Sequence, residues 1–193
     1  LNQLIKKNGP AWDRIKFDEL IAQQLALFYS REMTSKYVAP RLVDSKKLVS
    51  KVIKALPFNL TNSQKKVWNE VFNDLKQTSP CNRLIQGDVG SGKTIIAGLA
   101  IAATVGSNKQ AAVMAPTELL AKQLFTQLDN WLKTYGVKSL FLKGGQSSKN
   151  RNHNLLDLKE GNVDVVVGTQ AIIQEAVKFN DLGLSIIDEQ HRF

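Results

Sequence analysis

Hydrophobic and polar positions change rhythm along the chain. Phe17, Leu20, Ile21, Gln24, Leu25 and Phe28 recur at helical spacing and predict an amphipathic helix from about residue 12 to 33. Tyr37-Val38-Ala39-Pro40 breaks it, because the residue before a proline is pushed out of the helical region. A second helix is expected after Asp44 or Ser45, with Leu48, Val49, Val52, Ile53 and Leu56 on one face and Pro57 as its stop. Thr61 and Gln64 fit a capping box that opens a third, with Val67, Trp68, Val71, Phe72 and Leu75 as the buried stripe.

Past that helix, short β-branched runs alternate with helical stretches. Strands are expected at 83–86, 110–115, 137–142, 163–167 and 184–188, and helices near 93–105, 117–134, 147–160 and 169–177. Such alternation predicts an α/β fold, a parallel sheet with helices on both faces, preceded by an α-helical extension. The expected division is a helical connector over residues 1–56 and an α/β domain over 57–193.

Gly87-Asp88-Val89-Gly90-Ser91-Gly92-Lys93-Thr94 fits Gly-x-x-x-x-Gly-Lys-[Ser/Thr], the P-loop of nucleotide-binding domains. Glycines let backbone N–H groups converge on phosphate oxygens with no Cβ in the way. Lys93 can reach the β- and γ-phosphates, and the Thr94 hydroxyl can hold Mg2+. Arg83-Leu84-Ile85-Gln86 reads as a short buried strand leading in, and the apolar run Ile95 to Ala103 as a helix leading out. The phosphates of a nucleotide would then sit at a helix N-terminus, which favours anions.

Asp188-Glu189-Gln190-His191 follows the strand that ends at Ile187. Ligands of open parallel sheets bind beyond the carboxyl ends of the strands, so this acidic pair and the P-loop can meet at one edge. Asp188 would bind Mg2+, and Glu189 would orient and deprotonate the attacking water. Two adjacent carboxylates repel each other unless a cation lies between them.

Charge and cysteine content narrow the setting. The 26 Lys and Arg against 17 Asp and Glu give +9, which suits a polyanionic partner such as nucleic acid. The longest apolar runs are too short to cross a bilayer, so no membrane partner is expected. One cysteine, Cys81, excludes an internal disulfide framework and fits a reducing cytoplasm; it reads as a small hydrophobe. The chain begins at Leu1 and ends just after His191, so it is expected to be a piece of a longer protein.

The P-loop together with the DExH box Asp188-Glu189-Gln190-His191 resembles superfamily 2 helicases. Residues 56–64, Met114-Ala115-Pro116-Thr117-Glu118, Val167-Gly168-Thr169 and residues 182–193 extend the resemblance to bacterial ATP-dependent DNA helicases that act on branched DNA. The related motor of transcription-repair coupling factors is the nearest alternative, but Ser91, Glu118 and Gln190 depart from it. Gln170 departs from both groups, which usually have His there.

The resemblance implies a RecA-like fold, the first of two motor domains, with a second motor domain and a wedge domain elsewhere in the full-length chain. It implies ATP-driven remodelling of forks and Holliday junctions in repair and recombination, and poor activity of this piece alone. It gives Phe58 and Gln64 a role in reading adenine, beside the capping role that Gln64 can also play. It assigns backbone contacts on double-stranded DNA to Pro116, Thr117, Glu118, Gly144, Gly145, Gly168, Thr169 and Gln170, and coupling to Gln190 and His191.

Overall fold

The computed structural model describes residues 9–88, 90–145 and 148–192. By proximity of its backbone the chain divides into two units, Leu1–Ala39 with Thr78–Pro80, and Pro40–Gln77 with Cys81–Phe193. Residues 40–56 thus cluster with the second unit.

In the first unit, α1 spans Pro10–Ser35, matching the predicted helix with two more residues at each end. Its apolar residues Phe17, Leu20, Leu25 and Phe28 are exposed. Ala39 N–H donates to the Thr78 carbonyl at 2.8 Å, joining the two pieces of this unit.

The second unit begins with α2 (Leu48–Ala55), whose Leu48, Val49 and Val52 enter the main core. The Asp44 carboxylate accepts from the N–H groups of Leu48 (2.7 Å) and Val49 (3.0 Å), satisfying donors that a helix start leaves open. A Cβ on Gly106 would lie 2.0 Å from Asp44 Oδ1, so only glycine admits this cap. The predicted capping box opens α3 (Asn62–Leu75), and Trp68, Val71 and Leu75 are its buried stripe. The almost wholly apolar α4 (Lys93–Gly106) is buried along most of its length.

The sheet comprises β1 (Gln110–Met114), β2 (Ser139–Leu142), β3 (Val165–Gly168) and β4 (Leu182–Ile187) among the described residues, in the order β2-β3-β1-β4. Every pairing is parallel, with Val113 level with Val167 on one side and Ile186 on the other. Side chains alternate between faces. Ala111, Val113, Val165 and Val167 join the core built with α2, α3, α4 and α5 (Glu118–Leu132). Ala112 and Val166 face the opposite way, with Leu142, Ile172, Val177 and Leu158 of α6 (Ser148–Glu160). Helices therefore cover both faces, as expected.

Two elements differ from expectation. Residues 83–86 form no strand and are not buried; Leu84 is 68% exposed and only Ile85 turns to the core. Arg83 is instead held to α3 by ion pairs with Asp74 (2.5 Å) and Glu70 (2.9 Å), and a four-residue run with two apolar residues has little to gain from burial. The helix expected at 169–177 is a 3-10 turn, Gln170–Ile173, ended by the extended backbone of Gln174. Burying Ala171 and Ile172 while Ile173 points outward satisfies the core within one turn.

Gln110 had no sequence signal and ties the sheet together. Buried at the start of β1, it donates to the carbonyls of Leu158 (2.9 Å) and Val163 (2.7 Å) and accepts from the N–H groups of Asn180 (2.8 Å) and Asp181 (3.0 Å). Gln110→Leu would strand these groups, and a loss of about 3 kcal/mol in urea unfolding is expected; a loss below about 0.5 kcal/mol would contradict this role.

Candidate nucleotide site

The glycine-rich loop enters α4 through two left-handed residues, Gly90 (φ 80°) and Gly92 (φ 87°). Gly92 is the N-cap and no side chain caps the helix, so its first turn presents backbone donors outward. Lys93 folds back over the loop and donates from Nζ to the carbonyls of Gly87 (2.6 Å) and Asp88 (2.9 Å). These acceptors are neutral, and phosphate oxygens would be stronger partners for the ammonium. Val89 lies outside the described residues.

Gln64 links this loop to α3. Its Oε1 accepts from Thr61 N–H (3.0 Å) in the capping box, and its Nε2 donates to the Ser91 carbonyl (3.0 Å). Capping is therefore one of its roles, yet the amide keeps a second N–H and a second lone pair for a base edge. Phe58 is exposed nearby in sequence, just ahead of the box.

The far end of α4 fixes where its N-terminus points. Thr104 lies against the beginning of β4, where a Cβ on Gly183 would come 3.3 Å from Thr104 Cγ2. The 14-residue helix and the six-residue strand each extend about 20 Å. If it runs back along β4 from that contact, the helix would bring Lys93 and Thr94 toward the edge where Asp188 follows Ile187. Asp188 N–H still bonds to the Met114 carbonyl at 2.8 Å, as an extension of the β1–β4 ladder.

Glu189 leaves the strand in a left-handed conformation (φ 51°), uncommon for a residue with a Cβ and worth roughly 1–3 kcal/mol of strain. Its N–H donates to Asp188 Oδ1 at 3.1 Å. Its own carboxylate faces His191 Nε2 (3.4 Å) and Arg192 Nε (3.7 Å). For Arg192 the sequence offers only its place three residues beyond Glu189; the 3-10 turn brings the two together. Gln190 starts that turn and is exposed.

The remaining candidates lie along the same edge, at the ends of β1, β2 and β3. Thr117 caps α5 by accepting from Leu120 N–H (3.3 Å), and Pro116 precedes it. Gly144 and Gly145 face open space. Gly168 has a packing reason, since a Cβ there would sit 2.0 Å from the Leu142 carbonyl and its own carbonyl accepts from Ala115. Thr169 is half-buried and Gln170 exposed. Glu118 is paired with Lys143 at 2.8 Å, a partner that sequence reading missed.

Cys81 is exposed, but desolvation of its thiol beside α3, and then the Asp74 carboxylate, raise its pKa and keep it protonated. Among the described residues no three His, Cys, Asp or Glu side chains gather as a metal cage. A hydroxyl from Thr94 and a carboxylate from Asp188 are hard oxygen donors of the kind Mg2+ takes when substrate phosphates and water complete its shell.

Comparison with known proteins places this geometry. The DEAD/DEAH box helicase family matches residues 61–193. The ATP-dependent DNA helicase RecG of Aquifex aeolicus is 46% identical over 180 residues, covering 93% of this chain and 23% of that protein. RecG of Haemophilus influenzae is 43% identical over 193 residues, covering all of this chain and 28% of that protein. The chain thus spans about a quarter of the length of these relatives. A solved structure of RecG bound to a three-way DNA junction superposes with a TM-score of 0.86 at 41% identity, over 94% of this chain and 25% of that one. An ATP-dependent RNA helicase from Sulfolobus tokodaii shares the fold at 20% identity, with a TM-score of 0.57 over 75% of this chain and 41% of that one.

Gly92→Ala tests the loop geometry. The new Cβ would lie 2.3 Å from Gln64 Nε2 in a backbone conformation that disfavours side chains. Binding of a fluorescent ATP analogue is expected to weaken at least about tenfold, in line with a strain of ~1.4 kcal/mol or more. Unchanged affinity would show that the loop does not need this conformation.

Proposed function

The chain belongs to the DEAD/DEAH box helicase family, and on that premise we propose that it is the first motor domain of a RecG-type helicase, which couples ATP hydrolysis to the remodelling of branched DNA. What supports this reading is that Asp188-Glu189 and the loops after β1, β2 and β3 leave one edge of the parallel sheet, and that the far end of α4 lies against the start of β4, so that its P-loop end would face the same edge. Nucleotide chemistry and a path for a phosphate backbone are then neighbours. We assign residues 57–193 to the motor domain and 1–56 to a connector whose second part, 40–56, packs on that domain. A second motor domain and a wedge domain would lie elsewhere in the intact protein, and its place would be the bacterial cytoplasm. Among the described residues no helix is long and apolar enough to cross a membrane. Ser91, Glu118 and Gln190 favour this reading over the motor of a transcription-repair coupling factor.

The proposed chemistry follows from the side chains. Backbone N–H groups of Gly90 and Gly92 and the first turn of α4 would receive the phosphates, joined by the Ser91 N–H once it leaves the Asp88 carbonyl. Lys93 exchanges the carbonyls of Gly87 and Asp88 for the β- and γ-phosphate oxygens. Thr94 and Asp188 would hold Mg2+, which when bound supplies positive charge against the charge that builds on those oxygens. Glu189 swings from His191 and Arg192 to take a proton from the attacking water. Gln64 and Phe58 face the adenine, and Gln64 reports its occupancy to the loop through Ser91. Gln190 and His191, next to the base, suit coupling to a neighbouring domain. Pro116, Thr117, Gly144, Gly145, Gly168, Thr169 and Gln170 follow the DNA backbone without reading bases.

ATP hydrolysis by the intact protein, with and without a forked duplex, tests this proposal. Forked DNA is expected to stimulate turnover. Glu189→Gln should lower the stimulated rate by about 10²–10⁴ while nucleotide still binds, and Lys93→Ala should weaken nucleotide binding itself. Hydrolysis indifferent to DNA, or a Glu189→Gln enzyme of full activity, would refute the assignment.

A further inference from the structure

The Lys143–Glu118 pair crosses the rim just described. Glu118 opens α5 after β1, and Lys143 follows β2, but β3 stands between those two strands. The bridge therefore arches over the end of β3, where Gly168 and Thr169 sit, across about two strand spacings of 4.8 Å each. A phosphate backbone passing from 144–145 over 168–170 to 116–118 must run across it.

The pair is built to be exchanged. Both side chains are half-exposed, at 41% for Lys143 and 53% for Glu118, a setting in which an ion pair is weak. The backbone beneath it is held firmly. Arg151 donates to the Lys143 carbonyl at 3.3 Å and to Gln174 Oε1 at 2.6 Å, fastening the loop after β2 to the segment that follows β3. These partners of Arg151 are neutral, so its positive charge adds to the field at the rim. Glu118, by contrast, is a carboxylate set where phosphates are expected, and it holds Lys143 in the place that a backbone phosphate would compete for.

Resting on the DNA-remodelling reading above, we propose that Lys143 is a phosphate-binding residue of this rim, held by Glu118 in the free protein and transferred to a backbone phosphate when DNA binds. Glu118 then acts as an internal competitor that weakens binding and makes release easier, which suits a motor that must let go of its track. No covalent step is involved; one ion pair replaces another and a counterion leaves the DNA.

Anisotropy of a labelled forked duplex of mixed sequence, titrated with the intact protein from low to moderate salt, decides the matter. Each phosphate contact contributes about 0.9 to the slope of log affinity against log salt. Lys143→Ala should weaken binding about five- to tenfold at low salt and lower that slope by about 0.9, while Lys143→Arg should restore it. Glu118→Gln should tighten binding several-fold, and much less so when combined with Lys143→Ala. A wild-type slope in Lys143→Ala, with normal binding by the wild type, would overturn this inference alone. Failure of the wild type to bind the fork with any salt dependence would overturn the DNA reading as well.

Discussion

Everything in the second unit depends on burying β1. Its neighbours are β3 on one side and β4 on the other, and its side chains meet helices on both faces. A strand so enclosed must satisfy every backbone group through its ladders. The ladders are parallel, so four strand ends open at one edge. Asp188 is the first residue beyond that enclosure on β4, still bonded to Met114. Its position is thus dictated by the core rather than by a flexible loop. The same constraint orients α4, whose apolar length leaves it no stable place except flat against the sheet. With its end at Gly183, its start points to the open edge.

Local electrostatics at that edge follow one logic. Charged groups there rest on partners that they would give up in the roles we assign to them. Lys93 lies on carbonyls, Glu189 near His191 and Arg192, and Lys143 on a half-exposed carboxylate. Each arrangement satisfies the group without locking it. Gln64 is the exception, since its amide joins a helix cap and the P-loop at once. Loop position is thereby tied to the helix that follows Phe58.

Much of this was legible in the sequence because the responsible signals are local. The capping box at Thr61 and Gln64, the apolar run after Lys93 and the β-branched runs ending at Gly168 and Ile187 each act over a few residues. Failures arose where tertiary partners decide. Arg83-Leu84-Ile85-Gln86 has strand-like residues, yet ion pairs to Glu70 and Asp74 hold it outside the ladder. Residues 169–177 could pack as a helix, but one buried turn satisfies the core before Gln174 extends. Gln110 and Lys143 look like ordinary polar residues; their partners, 48 to 71 positions away for Gln110 and 25 for Lys143, have no trace in local pattern.

In the proposed mechanism the P-loop and the Asp188-Glu189 pair close on one Mg2+-bound nucleotide. Hydrogen exchange of the intact protein, with and without Mg2+ and a non-hydrolysable ATP analogue, measures this directly. Exchange should slow together in segments 87–95 and 188–191. Slowing confined to 87–95, with 188–191 unchanged at saturating nucleotide, would show that the two segments do not share one nucleotide.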